Sequence, residues 1–182
     1  MKKAVLGIGA LSLLFLCTVN LFAIDISAGG GVSVNVLSHA ETSTEYDESR
    51  VLIGGGAHIF ADATYLLATA GISLMEDFTY ADLNLLAKYP FTFSSFTVFP
   101  LAGGSYFVNF DDTHSNAWGI KGGLGLDYAV SEGLYIRPMA LVGYRFHSFR
   151  DDTLRALFKL YGYDLSITKI TVDVSVALGY RL

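Results

Sequence analysis

Cysteine is almost absent from the sequence, and this scarcity excludes a small domain held together by disulfide bonds. The single cysteine, Cys17, lies in the apolar amino-terminal segment. Charged residues are also few, at 16% of the chain, and the formal net charge is −5. The chain therefore has no basic surface for nucleic acid, and no nucleic-acid partner is predicted. Hydrophobic residues make up 52% of the chain, a high share for a soluble domain.

The first 23 residues have the layout of a secretory signal. Two lysines follow Met1, the stretch from Ala4 to Val19 is almost wholly apolar, and Ala23 is a small residue at the expected cleavage point. We predict a cleaved signal peptide over 1–23 and one domain over 24–182. Cleavage there would remove Lys2 and Lys3 and take the formal charge from −5 to −7. Lipidation at Cys17 is the alternative, although Leu16 is larger than the residue that usually precedes a lipidated cysteine.

The carboxyl-terminal segment Val172–Leu182 alternates without a break. Its even-numbered positions are Val, Val, Val, Leu, Tyr and Leu, and its odd-numbered positions are Asp, Ser, Ala, Gly and Arg. Successive side chains of a strand point to opposite faces, so one face is apolar and the other is polar or small. The rest of the chain has more apolar faces than one small core can hold. Apolar outside and polar inside is the pattern of a barrel in lipid.

Similar alternation predicts eight strands separated by alternately short and long connections. The predicted strands are 24–36, 51–60, 64–74, 81–89, 96–108, 118–128, 134–146 and a last strand ending at 182. Short turns are predicted at 61–63, 90–95 and 131–133. Longer acidic loops are predicted elsewhere, including 37–50 and 147–166, the latter with helical turns within 152–161. The alternative is a membrane helix over the uncharged stretch 91–110, but its Pro100 and paired glycines favour a strand.

These segments resemble the small eight-stranded outer-membrane barrels typified by the OmpA transmembrane domain, OmpX and OmpW. The resemblance rests on the terminal strand Val172–Leu182, the strand and turn Asp82–Phe91, and the strand entry Leu134–Pro138. Leu182 departs from the terminal Phe that is usual in such barrels. The resemblance implies an all-β, antiparallel, up-and-down transmembrane barrel with short periplasmic turns and longer extracellular loops. It also implies the outer membrane of a Gram-negative-type bacterium and insertion by the barrel-assembly machinery through the last strand.

Eight strands enclose an interior just wide enough for side chains, so a filled lumen is expected. Unpaired charges inside would cost several kcal/mol, and the predicted inward charges nearly balance. We therefore predict a polar network of paired charges; its alternative role is a gate in which arginines exchange acidic partners. The predicted network comprises Asp25, Asp82, Lys88, Lys121, Asp127, Arg137, Arg145, Asp173 and Arg181.

Outward aromatic residues are predicted at the lipid–water boundaries, where rings with one polar atom are favoured. Ten steps from Trp118 to Tyr128, at about 3.4 Å each and tilted by about 40°, rise about 26 Å, close to the roughly 25 Å apolar band of such barrels. The predicted boundary residues are Tyr89, Trp118, Tyr128, Tyr144 and Tyr180.

No enzymatic constellation is predicted. The sequence His114-Ser115-Asn116 resembles, incompletely, the His-x-Ser-Asn motif of lipid A deacylase barrels. Adjacent His and Ser lie on opposite faces of a regular strand, so the base would not reach the nucleophile. The glycines from Gly119 to Gly125 do not fit the dinucleotide-binding pattern. No cofactor or metal site is predicted.

The sequence thus predicts a monomeric, structural, surface-exposed barrel in the outer-membrane bilayer, with acidic loops available to an extracellular ligand. Passage of a small solute, polar or hydrophobic, through a narrow or gated path is the alternative that the OmpW resemblance implies. An alternative of another class is a periplasmic or lipid-anchored carrier barrel with its apolar side chains around a ligand.

Overall fold

The computed structural model of the protein describes residues 25–43 and 47–182. The predicted signal peptide and Cys17 lie outside these residues. Within the described part of the chain, no helix has the length and apolar character needed to cross a bilayer.

Eight long antiparallel strands close into a barrel, as the alternation predicts. The strands are β1 (Ser27–Thr42), β2 (Asp47–Ala63), β3 (Leu66–Met75), β4 (Thr79–Lys88), β5 (Phe91–Thr92), β6 (Phe96–Asn109), β7 (Ala117–Ala129), β8 (Leu134–Arg145) and β9 (Ser166–Arg181). The two-residue β5 pairs only with β6, beside the turn. Closure comes from β1 pairing with β9 and β4 pairing with β6. The predicted eight-stranded barrel is confirmed, and the helical alternative for 91–110 is wrong.

Strand faces follow the predicted alternation most regularly in β8 and β9. In β8 every residue from Tyr135 to Arg145 alternates between buried and exposed. In β9 the apolar side of the closing segment is exposed, with Val174 at 53% and Val176 at 50%. The polar side faces the interior, where Asp173 is 9% exposed. Hydrophobic side chains thus cover the outside of the barrel.

The predicted polar loop over 37–50 is wrong. Strand β1 continues to Thr42, and β2 begins at Asp47, with Glu41 paired to Glu48 across the hairpin. Residues 37–50 are mostly polar, and this composition led to the prediction of a loop. A strand whose outer face contacts water can nevertheless carry polar residues at its outer positions. These strands reach 17 residues, whereas β3 and β4 have 10. The barrel wall is therefore taller on one side.

The longest connection, residues 146–165 between β8 and β9, lies at one end of the barrel, and tight turns lie at the other end. The first short turn is Thr64-Tyr65, so the predicted turn at 61–63 is part of β2. Gly133 closes another turn with a φ of 81°, a conformation that favours glycine. At the opposite end, the predicted helical turns form helix α1 (Phe149–Leu160). A capping box between Ser148 and Asp151 fixes its start.

Candidate functional site

The interior of the barrel holds two groups of paired charges. The lower cluster comprises Asp62, Lys88, Asp127 and Arg137, and lies nearer the end of the barrel at which β1 begins, because Asp62 pairs with Ser27 there. The upper cluster comprises Asp82, Lys121 and Asp173. All seven side chains are at most 16% exposed. Each cation contacts at least one carboxylate, as charges away from water require.

Arg137 is the centre of the lower cluster and has no exposed side-chain surface. Its Nε and Nη2 atoms donate to the two carboxylate oxygens of Asp127 at 2.6 and 2.8 Å. Nη2 also donates to Asp62, whose other oxygen lies 2.6 Å from the Nζ of Lys88. The result is an alternating chain of two cations and two anions, which is neutral as a whole.

Aromatic rings surround this guanidinium. The Arg137 Cζ atom lies 4.6 Å from the ring centre of Phe60, 5.1 Å from that of Phe99 and 5.0 Å from that of Tyr135. The Tyr135 hydroxyl is 2.7 Å from the Ser27 hydroxyl. A buried apolar cluster that includes Leu67, Leu86 and these rings fills the same level of the lumen. The interior is thus closed by apolar side chains as well as by ion pairs.

The upper cluster is built around Lys121. Its Nζ atom contacts Asp82 and lies 2.7 Å from a carboxylate oxygen of Asp173. Asn84 donates to Asp82 at 3.0 Å and to Thr69 at 2.8 Å. A polar cavity of about 40 Å³ lies at this level and includes Asp82, Lys121 and Asp173 in its lining.

Nine residues were predicted for the lumen network, and the structure brings six of them into the two clusters. Arg145 is also interior, at 7% exposed, but it contacts rings and no carboxylate among the described residues. Asp25 and Arg181 are exposed at the end of the barrel and do not join the network. The Asp25 amide donates to Thr64, and the Arg181 guanidinium lies 5.7 Å from the Tyr135 ring. Both odd-numbered positions continue the inward-facing side of their strands, but water reaches them at the rim of the barrel.

Asp62 was missed because Ala61-Asp62-Ala63 has the composition of a turn. The signal that could have found it is parity: Val51, Ile53 and Ile59 are outward in β2, so even-numbered positions of that strand face inward.

A second cavity, of about 440 Å³, opens at the end of the barrel where β1 ends and β2 begins; we call it the mouth cavity. Its apolar lining comes from a buried cluster of Leu37, Leu52, Tyr80 and Phe107, with Phe78 packed against it. Arg145 lines the same cavity. Its guanidinium lies 3.5 Å from the ring centre of Phe107 and 4.9 Å from that of Tyr80.

Ion pairs connect the elements around the mouth cavity. Lys169 of β9 holds Asp151 of α1 at 2.6 Å, and Arg150 holds Asp112 at 3.2 Å. A third pair joins Arg50 to Asp77 at 3.0 Å. Burial raises the pKa of Asp151, but hydrogen bonds from Lys169 and the Ser148 amide outweigh it, so the pKa lies below its ordinary value.

The segment His114-Ser115-Asn116 lies in the loop beside this cavity, partly within a short 3₁₀ helix, Thr113–Ser115. The Ser115 hydroxyl donates to Asp112 at 2.8 Å and lowers the pKa of that carboxylate. The Asn116 side chain accepts from the Asn109 amide at 2.8 Å. The His114 ring packs 5.6 Å from Phe149 of α1. Each of these contacts orders the loop.

The five predicted boundary aromatics are exposed on the outer surface. Their exposed fractions range from 37% at Tyr144 to 65% at Trp118. Trp118 and Tyr144 lie toward the mouth cavity, and Tyr89, Tyr128 and Tyr180 lie toward the short turns.

The sequence matches no protein-family model and no curated protein. Comparison with solved structures defines the class of fold: the closed eight-stranded barrel of small outer-membrane proteins. Neisserial surface protein A is similar with a TM-score of 0.52 and 12% identity over 86% of this chain and 99% of that one. OprG from Pseudomonas aeruginosa follows at 0.46 and 15%, over 88% and 96%. Ail of Yersinia pestis has 0.38 and 11%, over 85% and 99%. The predicted resemblance to small outer-membrane barrels is confirmed for the fold.

Proposed function

We propose that the protein is an integral outer-membrane barrel with a structural, surface-exposed role and a lumen that does not conduct. The observation that carries the proposal is the exposed apolar outer surface. It includes Val32 at 65%, Ile59 at 67%, Leu124 at 59% and Leu178 at 58% exposed, on four different strands. Soluble monomers rarely expose continuous apolar patches of more than a few hundred Å². A bilayer removes this surface from water.

The aromatic residues support the same placement. Trp118 and Tyr128 lie at opposite ends of β7, about 26 Å apart along the barrel axis when ten strand steps are tilted by about 40°. We place these two residues, with Tyr89, Tyr144 and Tyr180, at the two lipid–water boundaries. The tall β1–β2 hairpin and α1 then stand outside the membrane.

Two features support a closed lumen. The lower cluster fills its level with Arg137, Lys88 and their carboxylates, and the rings of Phe60, Phe99 and Tyr135 close around the guanidinium. Ions would have to separate these pairs to pass. Separating these pairs would leave charges without partners away from water, which is unfavourable.

A gated path for a small solute is the second candidate. It is favoured by the polar cavity of about 40 Å³ at the upper cluster, where the Oδ1 atom of Asp82 has no hydrogen-bond partner among the described residues. Release of Lys121 from one of its two carboxylates would enlarge this cavity. A soluble or lipid-anchored carrier is the weaker alternative, because its outer surface should be polar, whereas Val174 and Val176 are exposed.

The proposed assembly is a monomer inserted by the barrel-assembly machinery through β9. The regular alternation of β9, with Val172 and Leu178 outward, supports this role for the last strand. The acidic residues around the mouth cavity form the proposed contact surface for an extracellular ligand.

Two experiments test the proposal. Fractionated cells should contain the protein in the outer membrane, as a band whose gel mobility changes on boiling. The purified full chain in planar bilayers should show no steady unitary current. A soluble fraction with no mobility change would contradict the membrane assignment. Steady unitary currents would contradict the closed lumen and favour the gated path.

A further inference from the structure

We propose that the mouth cavity is a binding site for a small organic anion, with Arg145 as the residue that holds its carboxylate or phosphate group. Arg145 is buried, with 7% of its surface exposed, and it lines the cavity. Among the described residues, no carboxylate lies within ion-pair distance of it. The proposal goes beyond the closed lumen, because it concerns the outer end of the barrel only.

The two interior arginines of β8 differ in what their side chains bind. In Arg137, Nε and Nη2 form a fork that grips both oxygens of Asp127. In Arg145, the same two atoms are buried and make no hydrogen bond of ordinary distance and angle within residues 25–43 and 47–182, although Tyr80, Asp82 and Asp173 are close enough to favour its charge. This fork matches a carboxylate or phosphate with two parallel hydrogen bonds. Arg145 thus presents the same pair of donors, which in Arg137 are already hydrogen-bonded to Asp127.

Contact with the Phe107 ring supplies no hydrogen-bond acceptor to the fork. The guanidinium carbon lies 3.5 Å from the centre of the Phe107 ring. The N–H donors lie in the plane of the guanidinium. Since Nε and Nη2 are covered, the group must turn within the cavity floor to meet a ligand, and the cavity of about 440 Å³ provides the room.

The other cations around the cavity are already paired. Arg50, Arg150 and Lys169 each contact an aspartate, and His39 contacts Glu41. The carboxylates of the upper cluster contact Lys121. Arg145 is therefore the cation of the cavity lining for which the described residues supply no contacting acid.

The lining specifies the class of ligand. Its volume lies within the range of small-molecule sites, about 300–1,000 Å³, which combine apolar walls with a few polar groups. Leu37, Leu52, Phe78, Tyr80 and Phe107 supply the apolar wall. An apolar or aromatic body carrying one anionic group fits this arrangement better than an inorganic ion, because the body gains contact with the rings.

The test uses the folded full chain in nonionic detergent and benzoate as the probe, with benzamide as its uncharged match. Nuclear magnetic resonance follows the Arg145 Nε–H signal at about 0.15 M salt, where exposed charges are screened over about 8 Å. We expect benzoate to shift this signal to saturation and benzamide to bind at least about tenfold more weakly. Equal affinities, or no saturable shift with benzoate, would overturn the proposal, whatever the conductance of the lumen.

Two matched variants locate the site. Arg145→Gln should weaken benzoate binding at least about tenfold, read from the Tyr80 and Phe107 signals. Arg150→Gln removes an exposed arginine of the same cavity and should change the affinity for benzoate by less than about threefold. An equal loss in both variants would replace the site by a diffuse charge effect and overturn the proposal. If Arg145→Gln does not give the heat-modifiable band, Arg145→Lys keeps the charge without the fork and should bind more weakly than the native chain; unchanged binding would count against the fork.

Discussion

Replacing Arg137 by methionine should destabilise the barrel by about 3–5 kcal/mol, the usual result when one partner of a buried ion pair is removed. The native side chain makes hydrogen bonds of 2.6 and 2.8 Å to Asp127 and a further one to Asp62. Hydrogen bonds to charged groups contribute about 1.5–3 kcal/mol each, so two of them account for a loss of this size. Asp62 keeps Lys88, whereas Asp127 has no second cation within ion-pair distance among the described residues.

Urea unfolding of the refolded chain in lipid vesicles measures this loss, with the unboiled gel band as the signal for folded barrel. Arg181→Met is the matched control, since Arg181 is exposed at the barrel end; it should change the free energy of unfolding by about 0.5 kcal/mol or less. Adding Asp127→Asn to Arg137→Met removes the orphaned charge and should recover more than half of the loss. If Arg137→Met and Arg181→Met were equally stable, the assignment of Arg137 as an interior ion-pair centre would be refuted.

Two further changes test the barrel wall and its outer end. A Cβ atom at Gly103 would overlap the Leu85 carbonyl oxygen and lie 2.8 Å from the Leu86 Cα, whereas one at Gly104 meets nothing within 4 Å. Gly103→Ala should therefore lower the free energy of unfolding by about 1–3 kcal/mol in the same urea assay, and Gly104→Ala should leave it unchanged. A larger loss in Gly104→Ala than in Gly103→Ala would contradict the assigned faces of β6. The lowered pKa of Asp151 stabilises α1 above the ordinary carboxyl pKa of about 3.9, and this stabilisation is lost as pH falls through the lower folded value. The protection of the α1 amides against exchange, relative to the intrinsic rate at each pH, should fall in that acidic range, and Asp151→Asn should abolish this pH dependence.

The strands that cross the proposed bilayer were predictable because two solvents act on their two faces. Lipid selects apolar residues outside, and the crowded lumen selects small or polar ones at many positions, so β7, β8 and β9 alternate in the sequence. Where β1 and β2 extend beyond this zone, water contacts the outer face and the alternation of Val and Ile ends at Val51. The same sequence rule therefore predicted a loop where a hairpin continues.

The contents of the lumen were less predictable, because they depend on register between strands that are distant in sequence. Arg137 was predicted to be inward, but its contacts with Asp62 and Phe60 come from β2, three strands away around the barrel. The unfilled donors of Arg145 have the same origin. Its strand position predicts an inward arginine, and only the side-chain arrangement distinguishes it from Arg137.

The accessibility of a nitroxide label on β9 tests the account most directly. The label would be attached in a chain carrying Val176→Cys and Cys17→Ser, folded in lipid vesicles, with Tyr161→Cys beyond α1 as the water-exposed reference. Because hydrocarbon is expected to surround the outer side of β9, collisions with oxygen should be frequent at position 176 and collisions with a polar nickel chelate rare. Nickel collisions at 176 as frequent as those at 161 would show water against this strand and contradict the membrane barrel.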